Sequence, residues 1–214
     1  MDTKVYAGSV NGIDLQFIDL IDSGTPACVY VELQRDDYGL EQITLTERDT
    51  VIDIGANIGT FSIYVKKKFN CRVISFEPVP INFEHFKQNI VLNGLSLSDF
   101  ELHNTAIFSK EGELIEIGTP LYNSGGSSIF HKGGIISKCK TEKLHKYIDK
   151  EIEYLKIDTE GAEFDIIPDI LDIINKFKYI GIEYHTFTGN SPIRLHELIK
   201  EHYKGVLFCQ QPVV

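Results

Sequence analysis

Several apolar runs in this chain end in carboxylates, amides or glycines, and those are the positions where chemistry is expected. Asp53 lies in Val51-Ile52-Asp53-Ile54, which runs into Gly55-Ala56-Asn57-Ile58-Gly59. Glu77 follows 24 residues after Asp53, at the end of Arg72-Val73-Ile74-Ser75-Phe76. Asn104 to Ala106 fall late in the run from Phe100 to Phe108. Asp158, Glu160 and Glu163 follow the run Glu153 to Ile157, and Glu183 and His185 close Tyr179 to Tyr184. The loop after Asp53 has the glycine spacing Gly55-x-x-x-Gly59. A dinucleotide fingerprint needs a second glycine where Asn57 stands. A P-loop needs Lys-Ser/Thr where Thr60-Phe61 stands. The loop therefore suits a ligand with no phosphate at this point, and glycine lets the backbone approach it closely. Asp53 is placed to accept from an ammonium, and Glu77 from both ribose hydroxyls of a nucleoside. Together they point to a nucleoside whose far end is an amino acid, S-adenosylmethionine.

The elements that must hold these residues alternate between strand and helix. Val51–Ile54 predicts a strand, followed by a helix with Phe61, Tyr64, Val65 and Phe69 at helical spacing. Residues 72–76 predict a second strand. Pro80 opens a helix with Phe83, Phe86 and Ile90 on its buried stripe, ended by Asn93-Gly94. Phe100–Phe108 predicts a third strand. Residues 109–140 break the rhythm and read as an inserted hairpin or loop, with Ser124-Gly125-Gly126-Ser127-Ser128 as its turn. Thr141–Ile148 predicts a short helix, residues 162–176 a helix bent at Pro168, and 192–203 another helix behind Ser191. Strands are expected at 153–157, 179–184 and 205–209. Such alternation implies a doubly wound, mostly parallel sheet with ligands beyond the carboxyl ends of its strands. Residues 4–34 alternate loosely and predict short antiparallel strands, including Val29 to Leu33. The expected division is an N-terminal β extension over 1–48, packed on a core domain over 49–214.

The chain has 214 residues, 31 acidic and 21 basic, for a formal net charge of −10. That balance excludes a clamp on a nucleic-acid backbone, which needs clustered Lys and Arg. With 13 Phe and 10 Tyr, the chain can offset its ordering entropy and fold. Cys28, Cys71, Cys139 and Cys209 show no CxxC pair, so they read as small core residues in a reducing compartment. No run reaches the ~20 apolar residues that span a bilayer, and no signal peptide is visible. A cytoplasmic protein with no nucleic-acid partner and no membrane insertion is the expectation.

The run from Val51 to Phe61 resembles the first motif of the FkbM family of S-adenosylmethionine-dependent methyltransferases. Leu155-Lys156-Ile157-Asp158-Thr159-Glu160-Gly161-Ala162-Glu163 resembles the family's second signature. Ser75-Phe76-Glu77-Pro78, Gly125-Gly126-Ser127-Ser128 and Ile182-Glu183-Tyr184-His185 also resemble family positions, in order. The resemblance covers residues 50 to 186. It implies a Rossmann-like class I methyltransferase fold with a seven-stranded sheet, and O-methyltransferase activity on a hydroxyl of a sugar or small metabolite. Asp53, Gly55, Ala56, Asn57 and Gly59 would line the methionine end of the cofactor. Glu77 would hold the ribose, with Asn104 and Ala106 beside the adenine.

Methyl transfer to a neutral hydroxyl needs the acceptor in attack geometry, and a base or a metal. Asp158 and His185 are expected to flank the acceptor, His185 because an imidazole titrates in a range suited to a base. Glu160 and Glu183 are orienting groups, and Ser127 and Ser128 belong to a loop over the acceptor. Asp158, Glu183 and His185 could also bind Mg²⁺ or Mn²⁺. For Glu163, a simple helix N-terminal acid is the plainer expectation. Three rivals stay open: a nicotinamide oxidoreductase, an S-adenosylmethionine-binding protein without methyl transfer, and a metal-dependent hydrolase using the same carboxylates.

Overall fold

Buried parallel strands, covered on both faces, read in sequence as near-continuous apolar runs, and the runs at 51, 73, 154 and 180 build the centre of this protein. The computed structural model describes residues 2–186 and 189–210. The central strands are β3 (Thr50–Ile54), β4 (Arg72–Phe76), β5 (Phe100–His103), β9 (Ile152–Ile157), β10 (Phe177–Glu183) and β11 (Val206–Gln210). They lie in the order β11-β10-β9-β3-β4-β5, and every pairing is parallel. The described residues hold six strands in this sheet, not the seven expected. The fold is α/β with a mostly parallel central sheet.

Side chains alternate between the two faces of the sheet. Ile52, Ile74, Leu155 and Ile180 share one core with α4 (Glu163–Asp169) and α5 (Pro192–His202). Val51, Val73, Phe100 and Tyr154 share the other with α1 (Thr25–Arg35), α2 (Thr60–Phe69) and α3 (Pro80–Leu92). Tyr154, Lys156 and Asp158 thus follow one another along the α1/α2 side. The parallel register sets Asp53 opposite Lys156.

The N-terminus is a hairpin of β1 (Thr3–Val10) and β2 (Ile13–Leu20), turned at Asn11-Gly12 with positive φ at both residues. Val29 to Leu33 is not a strand. It lies within α1, where Pro26 sits in the first turn and Pro26 and Leu33 are buried. Apolar residues three and four apart on one face of that helix imitated alternation in a short window. Asn89 of α3 and Asn93 just past its end tie β2 to the core by accepting from Ile18 N at 2.6 Å and Gln16 N at 3.1 Å.

The third expected strand splits. Phe100–His103 stays in the central sheet, whereas Ala106–Ile107 (β6) turns away to pair with β8 (Ile135–Glu142). β7 (Leu114–Thr119) pairs antiparallel with β8, so residues 109–140 do form a hairpin. The helix expected from Thr141 is instead the end of β8 and a 3-10 turn over Leu144–Tyr147. The helix expected over 162–176 stops at Asp169, one residue past Pro168. Cys71 and Cys139 are buried but Cys28 and Cys209 are exposed, so only two cysteines are core residues. Among the described residues no helix is long and apolar enough to cross a membrane.

Candidate active site

The sheet reverses its strand order between β3 and β9, and a crevice forms there at the carboxyl ends. It opens into a cavity of about 680 Å³, within the usual range for small-molecule sites. Two loops make its floor. Gly55 (φ +80°) leaves β3, and Gly55 and Ala56 both donate to Phe76 O at 3.0 Å. Asp158 N donates to Ile54 O at 3.1 Å, which locks the second loop onto the first. A Cβ on Gly55 would lie 1.7 Å from the Asp158 carbonyl oxygen, and one on Gly59 would lie 1.9 Å from the Phe86 ring. The two glycines therefore make room for protein, not only for a ligand.

At the β4 end, Glu77 is 4% exposed. Its carboxylate accepts from Asn57 N at 2.7 Å and Val79 N at 2.8 Å. Burial pushes its carboxyl up to about 7, against those two donors. Asn57 has φ +52°, and its amide donates to Ser124 O at 2.9 Å, tying the motif loop to the inserted hairpin.

Across the cavity lies a charged cluster. Lys156 is 3% exposed, with its ammonium 3.2 Å from both Asp53 and Asp158. Burial opposes that charge, but the two carboxylates outweigh it and hold the lysine above its ordinary range. Asp158 is the converse: burial disfavours its charge, but Lys156 and His185 hold its carboxyl low. The Tyr38 hydroxyl lies 3.3 Å from Asp158 Oδ2 and 3.2 Å from Glu183 Oε2. Burial lifts the Glu160 carboxyl to about 7, and burial with the Asp158 charge lifts Glu183 to about 8.

His185 is buried, with Nδ1 3.2 Å from Glu163 Oε1. Its Nε2 lies 3.5 Å from Glu160, 3.6 Å from Glu183 and 4.0 Å from Asp158. Burial opposes its charge, but Glu163, Asp158 and Glu160 outweigh it and lift the imidazole to about 10. The surrounding carboxylates favour the protonated form of the imidazole. Glu163 is the first residue of α4, as the plainer expectation had it, and accepts from Thr159 N at 2.8 Å and Gly161 N at 3.0 Å. It also orients His185.

The structure brings Gly55, Ala56, Asn57, Glu77, Ala106, Ser127, Asp158, Glu160, Glu183 and His185 to the cavity wall. Asp53, Gly59, Asn104 and Ser128 are not on that wall, and each is engaged by protein. The ammonium beside Asp53 is that of Lys156, and Ser62 Oγ donates to Asp53 at 2.7 Å. Asn104 donates to Glu77 O, and Ser128 donates to Glu160 O. Tyr38, Glu32 and Lys156 also line the cavity without having been singled out in sequence. A lysine inside an apolar central strand was a readable signal, since burial requires a partner. Tyr38, in a polar connector, carried none.

A doubly wound sheet with its polar residues gathered at the strand-order reversal defines a small-molecule-binding α/β protein. Residues 53–204 match the model of the methyltransferase FkbM domain, and the chain belongs to that family. It is 25% identical over 148 residues to "Methyltransferase 1" of Beauveria bassiana, covering 57% of this chain and 58% of the relative. It is 26% identical over 219 aligned residues to the AMB antimetabolite synthetase AmbE of Pseudomonas aeruginosa, covering 81% of this chain and 10% of that protein. It is 22% identical over 157 residues to the hexuronic acid methyltransferase AglP of Haloferax volcanii, covering 72% and 63% respectively. The chain thus spans less than two thirds of each of these relatives.

Proposed function

We propose that this chain transfers a methyl group from S-adenosylmethionine to a hydroxyl oxygen of a sugar or small metabolite. The observation that carries the reading is one cavity with two acidic ends, Glu77 at one and Asp158, Glu160 and Glu183 at the other. A cofactor bearing a sulfonium and an ammonium fits such a lining. Each Glu77 oxygen already accepts one N–H and a carboxylate has about four acceptor sites, so two ribose hydroxyls find capacity there. The bound cofactor supplies an electrophilic methyl carbon.

Asp158 and His185 flank the acceptor in this reading. The acceptor's proton leaves to the Asp158–Glu183 pair, which Tyr38 links, while Glu160 and the protonated His185 orient it. Ser127 closes the cavity from the inserted hairpin. The reading needs no metal; Mg²⁺ or Mn²⁺ among Asp158, Glu183 and His185 would add a Lewis acid to it. The AglP name supports a sugar hydroxyl as acceptor.

Calorimetry with S-adenosylmethionine and with its demethylated product tests the reading. Heat with both is expected, and no heat with either refutes it. Binding that survives in Asp158→Asn and Glu183→Gln, with release of the demethylated product abolished, assigns the carboxylates to transfer. Undiminished turnover in both removes them from that role.

A further inference from the structure

We propose, resting on the reading in which Glu77 holds the cofactor ribose, that Ser124 is a positioning residue for Glu77, anchored by Asp19 and Thr25. Residues ahead of the family match thereby brace the cofactor end of the cavity. Along β2, Leu15, Phe17 and Asp19 point to the same face, and all three are buried, Asp19 completely. A carboxylate thus stands where an apolar side chain would pack, and a buried charge is costly unless it is hydrogen-bonded. Its Oδ2 accepts from Ser124 Oγ at 2.7 Å and its Oδ1 from Leu20 N at 2.8 Å, with His85 Nδ1 3.9 Å from Oδ1.

Ser124 is 1% exposed, although Leu121 and Tyr122 just before it are exposed. Thr25, in the first turn of α1, secures the residues on either side of it. The Thr25 hydroxyl accepts from Gly125 N at 2.9 Å and donates to Asn123 Oδ1 at 2.9 Å. Fixed in this way, the Ser124 carbonyl accepts from Asn57 Nδ2 at 2.9 Å and from Asn82 Nδ2 at 3.2 Å. Asn57 Oδ1 accepts from Ile58 N at 2.6 Å, so both ends of that amide are held. Asn57 has φ +52°, a backbone region that is costly for a residue other than glycine, and from it the Asn57 N–H donates to Glu77 Oε2 at 2.7 Å. A continuous chain of hydrogen bonds therefore runs from Asp19 through Ser124 and Asn57 to the Glu77 carboxylate. Thr25, Asn57, Glu77 and Gly125 all line the cavity.

Calorimetry of the full chain with S-adenosylmethionine tests this. Ser124→Ala keeps the carbonyl but loses the hydroxyl bonded to Asp19, and it should bind about 5- to 10-fold more weakly, the worth of one such hydrogen bond. Thr25→Val should weaken binding by a similar factor, and Thr25→Ser, which keeps the hydroxyl, should restore it. A brace that only stabilises the fold would lower the urea midpoint and leave the affinity of the folded chain unchanged. Action through Glu77 is read from a double-variant cycle: either variant combined with Glu77→Gln should lose less than the product of the two single factors, and a full product overturns the proposal. Circular dichroism shows which variants fold, and the Ser124 or the Thr25 variant alone suffices. Wild-type binding with undiminished affinity in the folded variants overturns the brace alone. A wild-type chain that binds neither S-adenosylmethionine nor its demethylated product overturns the methyl-transfer reading and the brace together.

Discussion

Replacing Lys156 with Met should cost far more than any surface charge in this chain. The ammonium is 3.2 Å from Asp53 and from Asp158, and Asp53 is fully buried. Removing one partner of a buried ion pair leaves an uncompensated charge and costs about 3–5 kcal/mol. At about 2–4 °C per kcal/mol for a chain of this size, the melting midpoint should fall by roughly 6–20 °C. Ser62 Oγ would remain as a donor to Asp53, and one neutral hydrogen bond recovers only about 1 kcal/mol. If the orphaned carboxylate is the cause, Asp53→Asn in the Lys156→Met background should return stability instead of removing more. Urea unfolding of the wild type, both single variants and the double variant closes this cycle. A loss under about 1 kcal/mol in Lys156→Met, or strict additivity in the double variant, would refute the claim that this pair supports the crevice.

Gly55→Ala should fail to accumulate as folded protein or lose more than about 3 kcal/mol in urea unfolding, since its Cβ meets the Asp158 carbonyl at 1.7 Å and its φ is +80°. Glu77→Gln should weaken S-adenosylmethionine about tenfold, the worth of one charge-assisted hydrogen bond; equal affinities by calorimetry would remove Glu77 from the ribose position. Glu77 also sets a pH dependence. Its folded carboxyl is raised from 4.5 to about 7, so the folded state binds more protons in that window and stability falls as pH rises through it. At 1.36 kcal/mol per unit the fall approaches about 3 kcal/mol, and Glu77→Gln should remove it from the urea-derived stability profile.

Sequence patterning located the strands because burial on both faces leaves a strong apolar signal, and it located the acids because each ends such a strand. Patterning failed where tertiary contacts decide. Val29 to Leu33 alternates over five residues, yet it lies inside α1, with Leu33 buried. Ala106-Ile107 continues an apolar run, but it pairs with Thr141-Glu142 of the insertion instead of extending β5. The imidazole of His185 was read from its free pKa range. The four carboxylates around it come from residues 158–163 and from Glu183, two stretches that no local window joins.

The motif glycines and acids have partners within the protein itself. Asp53 and Gly55 look in sequence like direct ligand contacts, yet Asp53 neutralises Lys156 and Gly55 admits the Asp158 carbonyl. Both thus join β3 and its loop to β9 and its loop. The end proposed to take the acceptor has a different origin. Tyr38 and Glu32 come from the segment before residue 53, outside the family match, and Gly181 leaves space for the Tyr154 hydroxyl that holds the Tyr38 backbone. In the proposed reading, the cofactor end is built from residues within the matched region. The acceptor end is completed by residues that the matched region does not contain, so selectivity among acceptors should follow substitutions at Glu32 and Tyr38 more closely than changes in the glycine motif.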